Sequence, residues 1–233
     1  MYTLETIKKV MGIAKDYEKR LNAIEDVNEI KMCISAGNRK IGRVMNVSLM
    51  PVMTCANCKE CKFLCYDIKA CAQYPDTVIN ARMRNTIILK RDRELYFRRI
   101  EDACRRRRKN KFFRWHVAGD IIDIDYFAHM VDIARKFPEF CFWTYTKNYS
   151  VVNAYVENNG GSITAAIPEN LHVMFSEWRG VDMINPYGFP EFRVVFKDDA
   201  VKPAGHYCPG NCDICKVAGR GCVAGETTYC NEH

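Results

Sequence analysis

Ten of the thirteen cysteines in this chain fall in two short windows, residues 55–71 and 208–230. An odd number of cysteines argues against a closed disulfide framework, and the first residues lack the apolar core of a secretion signal. We therefore expect a cytoplasmic protein whose clustered thiols stay reduced and bind metal. The other three cysteines lie in apolar or helical segments, and we expect buried, inert thiols there: Cys33, Cys104 and Cys141.

The first window contains four cysteines with the spacing of a bacterial ferredoxin run, and a tyrosine replaces the usual proline after the last one. They are Cys55, Cys58, Cys61 and Cys65. Thiolates at short, unequal spacing can surround a [4Fe–4S] cluster. Tetrahedral zinc more often takes two close pairs that are a dozen or more residues apart. The spacing favours iron–sulfur over zinc, and it assigns no role to the nearby Cys71.

The second window contains four more cysteines at spacings of x3, x2 and x6: Cys208, Cys212, Cys215 and Cys222. The first three have the spacing that radical SAM enzymes use for their SAM-binding cluster. In those enzymes the cysteines normally follow the first strand of the barrel, whereas these follow the last predicted strand. We expect an auxiliary [4Fe–4S] cluster here, with a structural zinc site as the alternative. Cys230 has no assigned role.

Strands alternate with helices between the two windows. The hydrophobic pattern predicts an N-terminal helix over 3–20, a hairpin with arms at 30–34 and 41–50, and two helices within 75–109, with Asp92 as an N-cap. Further strands are predicted at 112–117, 140–145, 171–176 and 192–196, and helices at 125–137 and 151–158. Such alternation is typical of parallel βαβ units.

Together with the strand before Pro51, these segments make five parallel strands, too few for an eight-stranded barrel. The predicted fold class is therefore α/β, either a partial (β/α) barrel or an open parallel sheet. A cysteine-rich loop follows the first strand, and a cysteine-rich segment ends the chain. We divide the chain into an N-terminal helix and hairpin (1–43), an α/β core with the first cysteine loop (44–200) and a C-terminal metal segment (201–233).

Polar residues follow the predicted strands at the ends where parallel α/β folds place their sites. We expect Asp120 to anchor an amine or hydroxyl group, and Lys147 and Arg179 to hold anionic groups. His116 is a candidate for proton transfer. A core histidine on a strand is the alternative interpretation of His116.

Positive charge is concentrated in one part of the chain. The net charge is +7, yet fourteen Lys and Arg face only four Asp and Glu between Arg82 and Arg114. The run from Arg105 to Lys109 fits a solvated helix end that balances the helix dipole. It also fits a contact for nucleic-acid phosphates. A nucleic-acid-binding protein with purely structural metal sites is therefore the alternative to an enzyme.

Several separated motifs resemble the phage and prophage gene product 88 proteins. They span about Asn46 to Cys222 and comprise Ser48–Pro51 with Thr54–Cys55, Cys61–Tyr66, Arg114–Asp120, Phe142–Lys147 and Cys208–Pro209. That family in turn looks like a distant relative of radical SAM proteins. The resemblance implies that Cys55, Cys61 and Cys65 hold a cluster with one open iron, to which Cys58 is either extra or a closing fourth ligand.

The same resemblance places Gly119 and Asp120 where radical SAM enzymes hold the amino group of SAM with a Gly-Gly-Glu-like segment. This chain departs from that pattern in the spacing of the first cysteines and in having Asp instead of Glu. We expect a radical-SAM-like iron–sulfur enzyme that takes a small-molecule substrate or SAM. Its electron donor would be a carrier such as a ferredoxin or flavodoxin. No apolar run is long enough to span a membrane, so no membrane partner is expected.

Overall fold

Seven strands pair in parallel to form one sheet in a computed structural model, which describes residues 3–38 and 41–232. They are β1 (Met45–Asn46), β2 (Phe112–Arg114), β3 (Cys141–Thr146), β4 (Leu171–Glu177), β5 (Glu191–Val195), β6 (His206–Tyr207) and β7 (Thr228–Asn231). Their order across the sheet is β1-β2-β3-β4-β5-β7-β6. The sheet curls without closing, so the chain forms a half-barrel.

In the described ranges, eight α-helices connect and flank these strands. They are α1 (Leu4–Asn22), α2 (Tyr66–Gln73), α3 (Asn80–Arg91), α4 (Arg93–Arg106), α5 (Ile124–Lys136), α6 (Tyr149–Asn158), α7 (Ile163–Ala166) and α8 (Cys212–Ala218). The predicted N-cap at Asp92 is confirmed, since its carboxylate accepts a hydrogen bond from the Leu95 backbone N–H at 2.8 Å. None of the helices in the described ranges has the length and apolarity needed to cross a bilayer.

The two faces of the sheet have different partners because successive side chains of a strand point to opposite sides. Phe113 and Phe142 belong to the large apolar core, which also includes the buried faces of the helices. Trp143 and Met174 belong instead to a small cluster that includes Cys222. The outer face of the half-barrel therefore packs against helices, and the inner face packs against part of the C-terminal segment.

The predicted fold class is confirmed, and the five predicted parallel strands are β1 to β5. Two further strands, β6 and β7, extend the same sheet from the C-terminal segment. Their two and four residues are too short to produce a visible alternation in the sequence.

The segment predicted as a hairpin contains two isolated antiparallel bridges, Ser35–Asn46 and Asn38–Gly42. Only Met45–Asn46 of its second arm is a strand, and it pairs in parallel with β2. Residues 39 and 40, between the predicted arms, lie outside the described residues.

Candidate functional site

Side chains of α3 fasten the segment that leads from β1 to the first cysteine loop. The Asn85 amide donates to the Ser48 carbonyl at 2.9 Å and accepts from the Cys33 backbone N–H at 2.7 Å. The Thr86 hydroxyl accepts from the Met50 backbone N–H at 2.9 Å. Because Asn85 and Thr86 are buried, the helix holds the start of the cysteine loop at a defined position beside the sheet.

The loop after β2 lies directly against the same segment. The Leu49 backbone N–H donates to the Ala118 carbonyl at 2.9 Å. Gly119 has a φ of +89°, and a Cβ there would lie 2.8 Å from the Leu49 Cβ and 2.9 Å from the Thr54 hydroxyl. Only glycine accommodates both this backbone conformation and this contact. The loops after β1 and β2 therefore meet at the carboxyl end of the sheet.

Three thiols of the first cysteine loop influence one another, since Cys55 and Cys61 both raise the pKa of Cys58. The neighbouring Cys58 thiol lowers the pKa of Cys61 to about 6; burial opposes this shift and the Lys147 ammonium favours it. The fourth thiol, Cys65, stands at the start of α2. Burial raises the pKa of Cys65 to about 11, and backbone N–H groups of the helix partly offset the effect. The four predicted ligands are thus not equivalent.

Lys147 joins the cysteine loop to the ends of three strands. Its carbonyl accepts a hydrogen bond from the Asn57 amide at 2.6 Å. Its backbone N–H donates to the Asp120 carboxylate at 3.0 Å, and its ammonium donates to the Ser176 hydroxyl at 3.1 Å. Two of the predicted site residues, Asp120 and Lys147, are therefore brought together beside Cys61.

Asp120 is buried, and burial raises the pKa of its carboxyl to about 6. Hydrogen bonds from the Thr146 hydroxyl and the Lys147 backbone N–H partly offset this shift. A carboxyl group with this pKa changes its charge just below neutral pH, which suits a group that binds an amine or hydroxyl of a ligand.

His116 follows β2 but lies on the outer side of the sheet. Hydrogen bonds join its Nδ1 to the Thr144 hydroxyl at 3.2 Å and its Nε2 to the Tyr126 hydroxyl of α5 at 2.9 Å. Burial, aided by the Arg114 charge, lowers the pKa of His116 to about 3. The ring is therefore a neutral member of a buried network, away from the cysteine loop.

Arg179 lies on an exposed rim at the end of β4. Its guanidinium pairs with Asp198 at 2.7 Å and with Asp199, and it stacks 3.9 Å from the centroid of the Phe196 ring. These contacts connect the ends of β4 and β5. Arg179, which was predicted to bind an anionic group, is thus paired with acidic residues of the protein itself and does not lie beside Cys61.

The second cysteine window covers the inner face of the half-barrel. The Lys216 ammonium on α8 lies 5.0 Å from the centroid of the Phe112 ring. The Cys141 thiol donates to the Val223 carbonyl at 3.4 Å. Cys222 packs in the small inner cluster with residues of β3 and β4. Cys222 and Cys212, which packs against the same cluster, therefore lie inside the curled sheet.

The thiols of this window influence one another. Burial, followed by the charges of Cys222, Cys208 and Cys212, raises the pKa of Cys215 to about 11. The Nε2 atom of His206 lies 3.5 Å from the Cys215 sulfur. Burial raises the pKa of Cys230 to about 12, whereas the Lys147 ammonium lowers it. Since this ammonium also acts on the first loop, Lys147 lies near both windows.

Arg114 stands on the inner face between the two windows. Its guanidinium lies 4.7 Å from the centroid of the Tyr145 ring. Burial opposes its charge, but Tyr145, Tyr66, Cys212 and Cys222 raise its pKa. The net charge of residues 82–114 does not distinguish this buried arginine from the exposed Lys and Arg of the same segment. The alternation of β2, which places it on the opposite face to the apolar residues at 113 and 115, is the signal that could have found it.

Two buried side-chain N–H groups bear on whether an iron–sulfur cluster fits the C-terminal window. Arg114 Nε and Trp143 Nε1 have no hydrogen-bond partner among the described residues, although Arg114 neighbours Cys212 and Trp143 neighbours Cys222. Unpaired N–H groups beside thiols fit an anionic acceptor such as a thiolate or sulfide. Within residues 3–38 and 41–232, no three His, Cys, Asp or Glu side chains are already arranged to hold a metal ion.

Fold and site together define a parallel α/β half-barrel protein with two groups of cysteines facing one interior. The family model of gene product 88 matches residues 18–207. The chain therefore belongs to the gene product 88 family, as the motifs predicted. The match includes the first cysteine loop and ends before Cys208. No curated protein and no solved structure matches the chain.

Proposed function

We propose that this protein is a radical-SAM-like iron–sulfur redox enzyme with its reaction site at the first cysteine loop. Cys55, Cys61 and Cys65 hold the first cluster. The observation that carries the proposal is the position of Lys147, whose ammonium acts on thiols of both windows while its backbone binds Asp120. Charged side chains beside thiols at the carboxyl end of parallel strands are what a site for a small polar substrate requires.

A bound iron–sulfur cluster supplies single electrons at low potential, and an iron without a protein ligand offers a position for SAM or another small substrate. Asp120 accepts hydrogen bonds from an amine or hydroxyl group of that ligand. Lys147 offers an ammonium to a carboxylate. Both residues are held by backbone and side-chain hydrogen bonds before any ligand arrives, so little ordering is needed on binding.

His116 and Arg179 take structural roles in this proposal because their polar atoms are already bonded within the protein. His116 orders the loop after β2 from the outer side of the sheet. Arg179 links two strand ends. Cys58, whose pKa is raised by two neighbouring thiols, is either an extra thiol or the fourth ligand that would close the site.

The C-terminal window would hold a second cluster against the inner face of the half-barrel, where the cluster would supply electron transfer or brace the C-terminal segment. Its ligands are Cys208, Cys212, Cys215 and Cys222, with Arg114 as a nearby positive charge. The electron donor is a small carrier such as a ferredoxin or flavodoxin. Structural zinc is the alternative at this site, since four thiolates also satisfy tetrahedral zinc.

Metal analysis of the protein purified without oxygen tests the proposal. Two [4Fe–4S] clusters predict about eight iron and eight sulfide per chain. One zinc with about four iron and four sulfide would mean that one of the two sites holds zinc, as the alternative for the C-terminal site expects. A colourless protein that contains zinc alone would contradict the iron–sulfur assignment.

SAM binding is tested separately on the reduced protein. Addition of SAM is expected to change the EPR spectrum and to yield 5′-deoxyadenosine. If the spectrum and SAM both stay unchanged while iron and sulfide are present, the radical SAM part of the proposal fails. The iron–sulfur part would stand on the metal analysis alone.

A further inference from the structure

Most of the concentrated positive charge between Arg82 and Arg114 is already paired in the structure. The paired side chains bond to carboxylates or backbone carbonyls: Arg82, Arg84, Lys90, Arg91, Arg93, Arg99, Arg105 and Lys111. Arg107 differs, because its buried Nε has no hydrogen-bond partner in the described part of the chain, and the neighbouring Arg106 is exposed at the end of α4. Unpaired positive charge is therefore present at the end of α4, which lies at the amino end of the sheet.

A cleft of about 720 Å³ opens beside these two arginines, between residues 28–36 and α4. Four cations line it: Lys31, Arg99, Arg106 and Arg107. The one acidic side chain among its described lining residues, Asp102, is bonded to Arg105 at 2.9 Å. The walls of the cleft therefore carry an excess of positive charge, and its volume leaves room for a ligand.

The cleft has two further features that indicate the chemistry of its ligand. Arg107 Nε is buried without a hydrogen-bond partner, and such donors are normally satisfied, so a ligand acceptor is expected. Apolar side chains, including Met32, Ile34 and Met45, form part of the wall. Cations around an apolar surface fit an anion that carries an apolar group, as a nucleotide does.

We propose that this cleft binds the phosphates of a single-stranded nucleic acid. The cations continue past the cleft to the exposed Arg108 and Lys109, so the charge suits several consecutive phosphates and not one. The apolar wall accepts an unpaired base, which a duplex would keep stacked inside. Since the cleft lies at the amino end of the sheet, opposite the first cysteine loop, this proposal stands apart from the iron–sulfur proposal.

Fluorescence anisotropy with a labelled, mixed-sequence DNA strand of twenty nucleotides tests the proposal. The protein is expected to bind at low salt, and its affinity should fall as salt is raised. The double variant Arg106→Gln/Arg107→Gln should bind about tenfold more weakly, and its log–log salt slope should be less steep by about 1.4, since each phosphate contact on a single strand contributes about 0.7.

The control variant is Lys8→Gln/Lys9→Gln, which removes two adjacent exposed cations from α1 and leaves the cleft intact. It should retain the affinity and slope of the parent protein, and both variants should retain the parent's metal content and melting temperature. An equal loss in the control, no binding by the parent, or tighter binding to the matching duplex would overturn the proposal. Competition by inorganic phosphate at the same phosphate concentration as the strand would overturn it too.

Discussion

Asn57, in the middle of the first cysteine loop, donates a hydrogen bond to the carbonyl of Lys147 at the end of β3, at 2.6 Å. The two residues are ninety positions apart in the chain. Asn57 has a φ of +48°, which asparagine tolerates better than most residues. This bond attaches the loop to the strand end that also holds Asp120, and so sets the distance between the thiols and the charged side chains.

Loss of this bond should loosen the loop. Asn57→Gly keeps the backbone conformation and removes the donor, so we expect a loss of about 1 kcal/mol of stability and a several-fold faster loss of iron to a chelator. Asn110→Gly is the matched control, because Asn110 also has a positive φ of +54° and its side chain has no hydrogen bond in the described protein. An unchanged rate for Asn57→Gly would show that the tether does not hold the loop.

Cys61 and Cys58 should differ as ligands of the first cluster. Cys61→Ala is expected to lose about four iron and four sulfide per chain, whereas Cys58→Ala should keep them. Cys104→Ala, which changes a buried thiol of α4, controls for the loss of any cysteine and should keep both clusters. Metal analysis decides the matter, and the reverse result for Cys58 and Cys61 would reassign the ligand set.

Gly119 should not tolerate a side chain. Gly119→Ala combines a φ of +89° with a contact of 2.8 Å to Leu49, and we expect a loss of about 2 kcal/mol or more. Gly161→Ala has a φ of +68° but nothing within 4 Å, so it should lose only about 1 kcal/mol. Urea unfolding measures both. Equal losses would mean that the loops after β1 and β2 do not pack as closely as described.

The buried His116 should make the protein sensitive to acid. Its pKa is about 3 in the folded protein against about 6.5 in an unfolded chain, so the unfolded state binds more protons below pH 6.5. Stability should therefore fall by about 2 kcal/mol between pH 7 and pH 5 from this residue alone.

His116→Asn tests this pH effect, because asparagine tolerates the φ of +51° at this position and does not titrate. The urea midpoint of the variant should depend less on pH over the same range. A parallel pH dependence in the two proteins would assign the acid sensitivity to other groups.

Arg114 should strengthen the C-terminal metal site, because its positive charge lies beside Cys212 and Cys222. Arg114→Gln is expected to weaken metal retention at that site by about 10- to 100-fold. Mutation of a residue that contacts metal ligands commonly has an effect of this size. Competition with a chelator measures the effect. Lys111→Gln, which removes a cation paired with Glu139 at the amino end of β2, should leave retention unchanged.

Local patterns predicted much of this fold. Helix periodicity and the cap at Asp92 predicted α4 within a few residues, and alternation with helices predicted β1 to β5. The proximity of Lys147 and Asp120 could also be predicted from the sequence, because residues that follow parallel strands gather at one end of a sheet. The same reasoning assigned site roles to His116 and Arg179. In the structure, a positive φ at His116 directs its side chain to the outer face of the sheet. Arg179 forms an ion pair with Asp199, which lies twenty residues further along the chain.

Sequence alone was sufficient to establish a parallel α/β chain of the gene product 88 family with two sets of closely spaced cysteines, since periodicity, spacing and motifs are local properties. Only the folded chain decided that Cys212 and Cys222 lie inside the half-barrel, that Arg114 stands between the two windows, and that most of the arginine excess is already paired. Those relationships join residues far apart in sequence. They depend on the curl of the sheet and on packing, for which no short segment carries a pattern.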